Sequence, residues 1–262
     1  MYDSISSFRK ERIGLIKIGP ATLGGPTKVW VPLVGRSLEA LLEECAFLAN
    51  VKADVVELRI DFLGESYDKA LVLEAVEKVR AALPNRGLLF TWRTKQEGGE
   101  KEISVEDYFD ILESVIPTGH VDAIDIEYFF DQERMGQTVD LAKKHGVTVV
   151  MSNHDFHKTP AQEEIESRLI GMKEAGAHIA KLACMPQSPD DVLTVLTATN
   201  HVRKQYPDEP IITMAMGQLG VVTRICGNVF GNALSFGAAK QASAPGQVEV
   251  ELLNQILERV NQ

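Results

Sequence analysis

The sequence predicts an α/β fold, a (β/α)8 TIM barrel preceded by an N-terminal β-hairpin. Three observations carry that expectation. Short runs rich in β-branched residues alternate with amphipathic helical stretches along the whole chain. Eight such runs recur at spacings of roughly 25–34 residues, as the strand–helix units of a closed parallel sheet require. Charged residues gather at the C-terminal ends of these runs, where a barrel of this kind builds its site.

The hairpin comes first. Residues 13–30, IGLIKIGPATLGGPTKVW, have two short apolar arms around a Gly/Pro-rich turn and read as a plug for the bottom of the barrel. Strands are expected at 28–34 (KVWVPLV), 53–58 (ADVVEL), 87–92 (GLLFTW) and 121–127 (VDAIDIE). The second half has them at 147–153 (VTVVMSN), 178–184 (HIAKLAC), 210–216 (PIITMAM) and, more weakly patterned, 232–237 (NALSFG). Helical stretches lie between, among them 37–50, 68–83, 140–146 and 161–176, the last closed by Gly176 as a C-cap. An open doubly wound sheet is the rival arrangement, but no G-x-G-x-x-G or Walker A motif follows the first strand. No linker, charge block or compositional break divides the chain, so one catalytic domain over residues 1–262 is expected.

Composition narrows the partners. A net charge of -10 argues against nucleic acid and anionic membranes, which both demand a basic face. It leaves room for a small anion held by a few clustered arginines. The first residues, MYDSISSFRKERIG, lack the apolar stretch of a signal peptide, and no later run resembles a membrane span. Cys45, Cys184 and Cys226 show no C-x-x-C spacing and read as reduced packing thiols of a cytoplasmic protein.

The polar residues at the strand ends carry the chemistry. Glu57 and Arg59 share one face of the second strand, and Asp125 and Glu127 share one face of the fourth. Arg93 follows the third strand. Lys181 is flanked by Ala, Ile and Leu, in a segment that must be buried. Burial lowers an amine's pKa and supplies the neutral nucleophile that forms an imine with a ketone. The same position also suits a structural lysine paired with Glu127 or Glu57. His154, in MSNHDFHKTP, is a proton-transfer candidate or the cap of a buried hydrogen-bond network. His154, Asp155 and His157 lie close together, but no second His or Cys cluster completes a metal site, so no metal is expected. Arg59, Arg93 and Arg224 could converge on a carboxylate, although Arg224 also suits a surface charge. Met214 and Met216 read as core or as an apolar wall beside Lys181. The Pro/Gly turn Ser243-Ala244-Pro245-Gly246-Gln247 offers hydroxyl and amide groups that could close over a polyol.

Taken together, these segments resemble the type I 3-dehydroquinate dehydratases of the shikimate pathway. The resemblance runs from about Lys28 to the final helix. It rests on Glu57-Leu58-Arg59-Ile60-Asp61, Leu89-Phe90-Thr91-Trp92-Arg93, Glu97-Gly98-Gly99-Glu100 and Asp125-Ile126-Glu127. It continues through the histidine motif 151–160, Lys181-Leu182-Ala183-Cys184-Met185-Pro186, the segment 211–217 and Ser243–Gln247. The resemblance implies a hydro-lyase that converts 3-dehydroquinate to 3-dehydroshikimate without a cofactor. Lys181 would form the imine, His154 would act as general acid/base and Glu97 would orient His154. Arg224 would hold the substrate carboxylate. Glu57, Arg59, Arg93, Ser243 and Gln247 would contact hydroxyls or shape the pocket. A homodimer is implied too. Pro32 stands where some members carry serine, so a hydroxyl from that position is lacking. Two alternatives remain: a class I Schiff-base aldolase acting on a sugar-like keto acid, and a non-catalytic sugar-acid-binding barrel.

Overall fold

The computed structural model describes residues 16–239 and 241–260. Residues 13–15, the start of the expected hairpin's first arm, lie outside them. A two-stranded antiparallel hairpin opens the described chain, with β1 (Lys17–Ile18) and β2 (Ala21–Thr22) turning through Gly19 and Pro20. Eight parallel strands come next: β3 (Lys28–Leu33), β4 (Val55–Arg59), β5 (Gly87–Thr91), β6 (Ala123–Glu127), β7 (Thr148–Asp155), β8 (Ile179–Cys184), β9 (Ile211–Ala215) and β10 (Leu234–Ala238). Each expected strand is present, with ends shifted by no more than a few residues.

Helices connect them: α1 (Leu38–Leu48), α2 (Lys69–Ala82), α3 (Val105–Val115), α4 (Gln132–Lys144), α5 (Gln162–Glu174), α6 (Pro189–Gln205) and α7 (Gly217–Cys226). A two-residue strand β11 (Val248–Glu249) and α8 (Val250–Val260) end the described chain. Their starts carry the side-chain caps that such helices need: Ser37, Asp68, Ser104 and Asp131 each accept a backbone N–H, and Ser188 and Asp191 form a capping box. Gly176 follows α5 at φ +100°, and its N–H donates to the Lys173 carbonyl, as a helix stop requires.

The strands pair in the order β10-β3-β4-β5-β6-β7-β8-β9, all parallel. The ring closes between β9 and β10 by a shorter seam. There the Ala233 N–H donates to the Ile211 carbonyl (3.0 Å), and the Asn232 side chain stands in for a strand residue. Its Oδ1 accepts from Thr213 N (3.1 Å) and its Nδ2 donates to Thr213 O (3.0 Å).

Two apolar layers result. The larger lies between the strands' outer faces and the helices. The smaller fills the barrel, with Trp30, Val55, Leu89, Ala123, Val150, Ile179, Ile212 and Leu234 pointing inward. Ile18, Ala21 and Leu23 of the hairpin segment pack into this inner layer, so the hairpin closes the end opposite the site. Gly87 makes that closure possible, because a Cβ there would lie 2.4 Å from the Ile18 carbonyl oxygen. Cys45, Cys184 and Cys226 are free thiols, the first two buried. Among the described residues no helix is long and apolar enough to cross a membrane.

Candidate active site

With the bottom plugged, polar inward side chains accumulate at the C-terminal ends of the strands. Register places them in rows: Glu127 of β6 stands beside Ser152 of β7, then Lys181 of β8 and Ile212 of β9. One step further up, His154 stands beside Ala183 and Met214. They frame a cleft with about 450 Å3 of space, part of it open to solvent. That lies within the roughly 300–1,000 Å3 of small-ligand sites. Glu57, Arg59, Arg93, Glu97, His154, Lys181, Met214, Met216, Ser243 and Gln247 all line it. Of the catalytic and substrate-binding residues expected from the sequence, only Arg224 is outside this lining, and it stands just behind.

Lys181 is 4% exposed. Its Nζ lies 3.6 Å from Asp125 Oδ2 and 3.9 Å from Glu57 Oε1, and 4.9 Å from the centre of the Phe236 ring. The pairing is with Asp125 and Glu57; Glu127 instead accepts from Arg93 and from the Thr94 N–H and hydroxyl. Burial drives the amine below the ordinary lysine range, aided by Arg93 and Arg59, while Glu57 and Asp125 pull it back. The ammonium's contacts are long ones.

His154 faces Glu97, which sits on a short 3-10 turn, Lys95–Glu97, after β5. Glu97 Oε2 accepts from His154 Nδ1 (2.8 Å) and from its backbone N–H (3.0 Å), and Oε1 accepts from Asn153 Nδ2 (3.0 Å). With Nδ1 engaged, Nε2 is the ring nitrogen left to exchange a proton. Burial, then Arg93, Lys181 and Arg59, push the imidazole well below its usual pKa and keep it neutral near pH 7. Burial and Glu127 push the Glu97 carboxyl upward, while Arg93 and Asn153 pull it back. Gly98 adjoins it at φ +83° with the Phe156 ring against it; a Cβ there would come within 2.2 Å of that ring. Asp155 caps the next turn, accepting from the N–H groups of His157 and Lys158. No metal-holding cluster of three or more His, Cys, Asp or Glu occurs among the described residues.

The arginines do not all converge on an open anion site. Arg59 is tied twice to the fully buried Asp61, Nε to Oδ1 and Nη2 to Oδ2, both at 2.8 Å. Arg93 is a hub: Nη2 donates to Asp125 (2.7 Å), and Nη1 to Glu127 (2.9 Å), Ser152 (2.9 Å) and, weakly, Glu97 (3.4 Å). Arg93→Met is expected to destabilise the fold by about 3–5 kcal/mol, because buried carboxylates lose their shared cation. Urea unfolding at neutral pH measures this, and a loss under about 1 kcal/mol would contradict the hub.

Arg224 differs. It is on the last turn of α7 and buried, yet it has no carboxylate partner among the described residues. Nη1 lies 3.5 Å from Met214 Sδ, Nη2 donates to the Pro245 carbonyl (3.1 Å), and Nε is without a hydrogen-bond partner. Burial lowers its pKa to about 10. Pro245 belongs to the loop between β10 and β11, in which Ser243 N donates to Gln247 Oε1 (2.9 Å) and Gln247 Nε2 to Ser243 Oγ (3.0 Å). β11 pairs beside the end of β10, so the loop leaves and rejoins the barrel at one edge.

Comparison with known proteins decides the family. A family model for type I 3-dehydroquinase matches residues 29–262. The chain belongs to the type I 3-dehydroquinase family. It is 48% identical over 234 residues to the 3-dehydroquinate dehydratase of Listeria welshimeri, covering 89% of this chain and 92% of that one. It is also 48% identical over 244 residues to the Bacillus licheniformis 3-dehydroquinate dehydratase, at 93% and 96% coverage. Among solved structures, the Clostridium difficile type I 3-dehydroquinate dehydratase with covalently modified comenic acid superposes with a TM-score of 0.91. That pair is 42% identical, covering 94% of this chain and 98% of the other.

Phe156, Phe236 and Ala183 line this type I dehydroquinase cleft, and Asp61 anchors Arg59 from behind it; strand-end charge singled out none of the four. Three are apolar and indistinguishable from core in sequence. Asp61 sits two residues past Arg59 on the same turn, and that spacing was the available signal.

Proposed function

We propose that the chain dehydrates 3-dehydroquinate to 3-dehydroshikimate in a single catalytic barrel, through an imine on Lys181. The carrying observation is the buried Lys181 amine, short of any close hydrogen bond and in one cleft with the His154–Glu97 pair. The named activity of the relatives supports the substrate.

Each step rests on what its group can do. Neutral Lys181 Nζ adds to the C3 ketone. The carbinolamine hydroxyl takes up a proton from solvent and leaves as water as the protonated imine forms, a proton that imine hydrolysis later returns. That cation is the electron sink which makes the C2 proton removable. His154 takes the proton at Nε2, and the electrons pass into an enamine. Collapse of the enamine expels the C1 hydroxyl, which receives the same proton and departs as water. A water then hydrolyses the imine, releasing 3-dehydroshikimate and the free amine, for a net loss of one water. Glu57 and Asp125 stabilise the cationic imine where they now stabilise the ammonium. Arg224, with its orphaned Nε, receives the substrate carboxylate. Ser243 and Gln247 face the substrate hydroxyls. A cytoplasmic homodimer completes the reading.

The direct test is incubation with 3-dehydroquinate while following enone absorbance, with an aldehyde assay run in parallel. Enone growth without aldehyde is expected; aldehyde release would favour the aldolase, and no turnover the binding barrel. Arg224→Met is expected to raise KM roughly ten- to a hundredfold, the worth of a charge-assisted contact. A KM unchanged in that variant would move the carboxylate elsewhere.

A further inference from the structure

A file of three side chains leads outward from His154, away from the cleft. Glu97 holds His154; Asn153 Nδ2 donates to Glu97 Oε1 (3.0 Å); and Arg168 Nη1, from α5, donates to Asn153 Oδ1 (2.7 Å). Chemistry gives the file a direction. A guanidinium only donates and a carboxylate only accepts, so the amide between them has one satisfactory orientation. Its oxygen faces Arg168 and its nitrogen faces Glu97. Turned over, it would aim an oxygen at a carboxylate and an NH2 at a guanidinium. Arg168 is itself held in place. Glu164, one turn earlier, accepts from Nη2, and the Phe129 ring lies 5.2 Å from the guanidinium.

We propose that Arg168 and Asn153 are positioning residues for the reaction assigned above, locking Glu97 as the acceptor that keeps His154 Nε2 free to act as base. The proposal rests on that reaction. An ionised Glu97 takes the Nδ1–H and leaves Nε2 with its lone pair. A protonated Glu97 would donate to Nδ1 and place the imidazole proton on Nε2, where it blocks removal of the C2 proton. Activity therefore falls as pH drops through the Glu97 pKa, and each donor lost from its carboxylate moves that limb upward. Glu97 faces Arg93, Glu127, Asp125, Asn153 and His154; His154 also faces Lys181 and Arg59. Changing Arg168 removes none of these groups. It releases only the amide.

The test compares wild type with Arg168→Met, which keeps a stem against Phe129, with Arg168→Lys, and with Asn153→Asp, which can still pair with Arg168 but cannot donate to Glu97. Full kcat and KM profiles against pH are measured, and Lys181 labelling by borohydride with 3-dehydroquinate is followed. Arg168→Met is expected to lower kcat roughly tenfold while KM stays within about twofold. Its acid limb should move up by about half to one pH unit. Lys181 labelling should persist, and Arg168→Lys should recover part of the loss. Asn153→Asp should move the limb further and lower kcat more. An unmoved acid limb in both Arg168→Met and Asn153→Asp would overturn the proposal. So would joint loss of kcat, KM and labelling without a limb shift, which marks a merely structural role. If Arg168→Met does not fold, Asn153→Asp alone decides by the same limb. Failure of wild type itself to turn over or label would instead sink the reaction assignment.

Discussion

Lys181→Met is expected to abolish dehydration, with a loss on the order of 10^4-fold or more. A thioether fills nearly the same volume and keeps the contact with the Phe236 ring, but it cannot condense with a ketone. Without the imine, the C2 proton must be removed against a plain ketone, and the His154–Glu97 pair has no adequate electron sink to work with. The fold should survive. Burial works against the Asp125 carboxylate, yet Arg93 and Ser152 remain to hold it ionised once Lys181 is gone. Glu57 keeps its bond from the Thr91 hydroxyl (2.9 Å). Initial rates by enone absorbance, beside a circular dichroism melt, measure this. A folded variant with a loss under about tenfold would remove Lys181 from covalent catalysis.

His154→Ala should separate the steps. Turnover is expected to fall roughly 10^2- to 10^4-fold, the usual contribution of a positioned acid/base. Imine formation should persist, because Lys181 derives its low pKa from burial, Arg93 and Arg59, none of which needs the imidazole. Removing the ring leaves Glu97 with the Asn153 amide and the residue-154 backbone N–H as its donors, both at 3.0 Å. The observable is a variant that accumulates reducible adduct while forming little product. Rates like those of wild type would exclude His154 from proton transfer.

Much of this site could be read from sequence because barrel strands make polar inward residues conspicuous. Glu57 with Arg59, and Asp125 with Glu127, share faces by strand periodicity alone; the first pair lines the cleft and the second holds Arg93, which lines it. Lys181 stood out among apolar neighbours for the same reason. Glu97 was different: it sits on a 3-10 turn off the strand, where periodicity is silent, and only family resemblance named it. Arg93 looked like an anion receptor, but four partners take up its guanidinium. A sequence shows a charge without showing which carboxylates reach it first. Asn153 and Arg168 were hidden because a helix-face arginine fifteen residues along the chain has no pattern linking it to a strand-end amide. The seam at Asn232 was equally hidden, since a side chain replaces the strand pairing that periodicity detects.

Borohydride reduction during turnover, with peptide mapping of the product, bears most directly on the covalent step. With 3-dehydroquinate present, one stable adduct is expected, on the peptide that contains Lys181, and activity should be lost in step with labelling. Full inactivation with the adduct on Lys158 or any other lysine, or unimpaired turnover with no adduct formed, would contradict an imine at the mouth of β8.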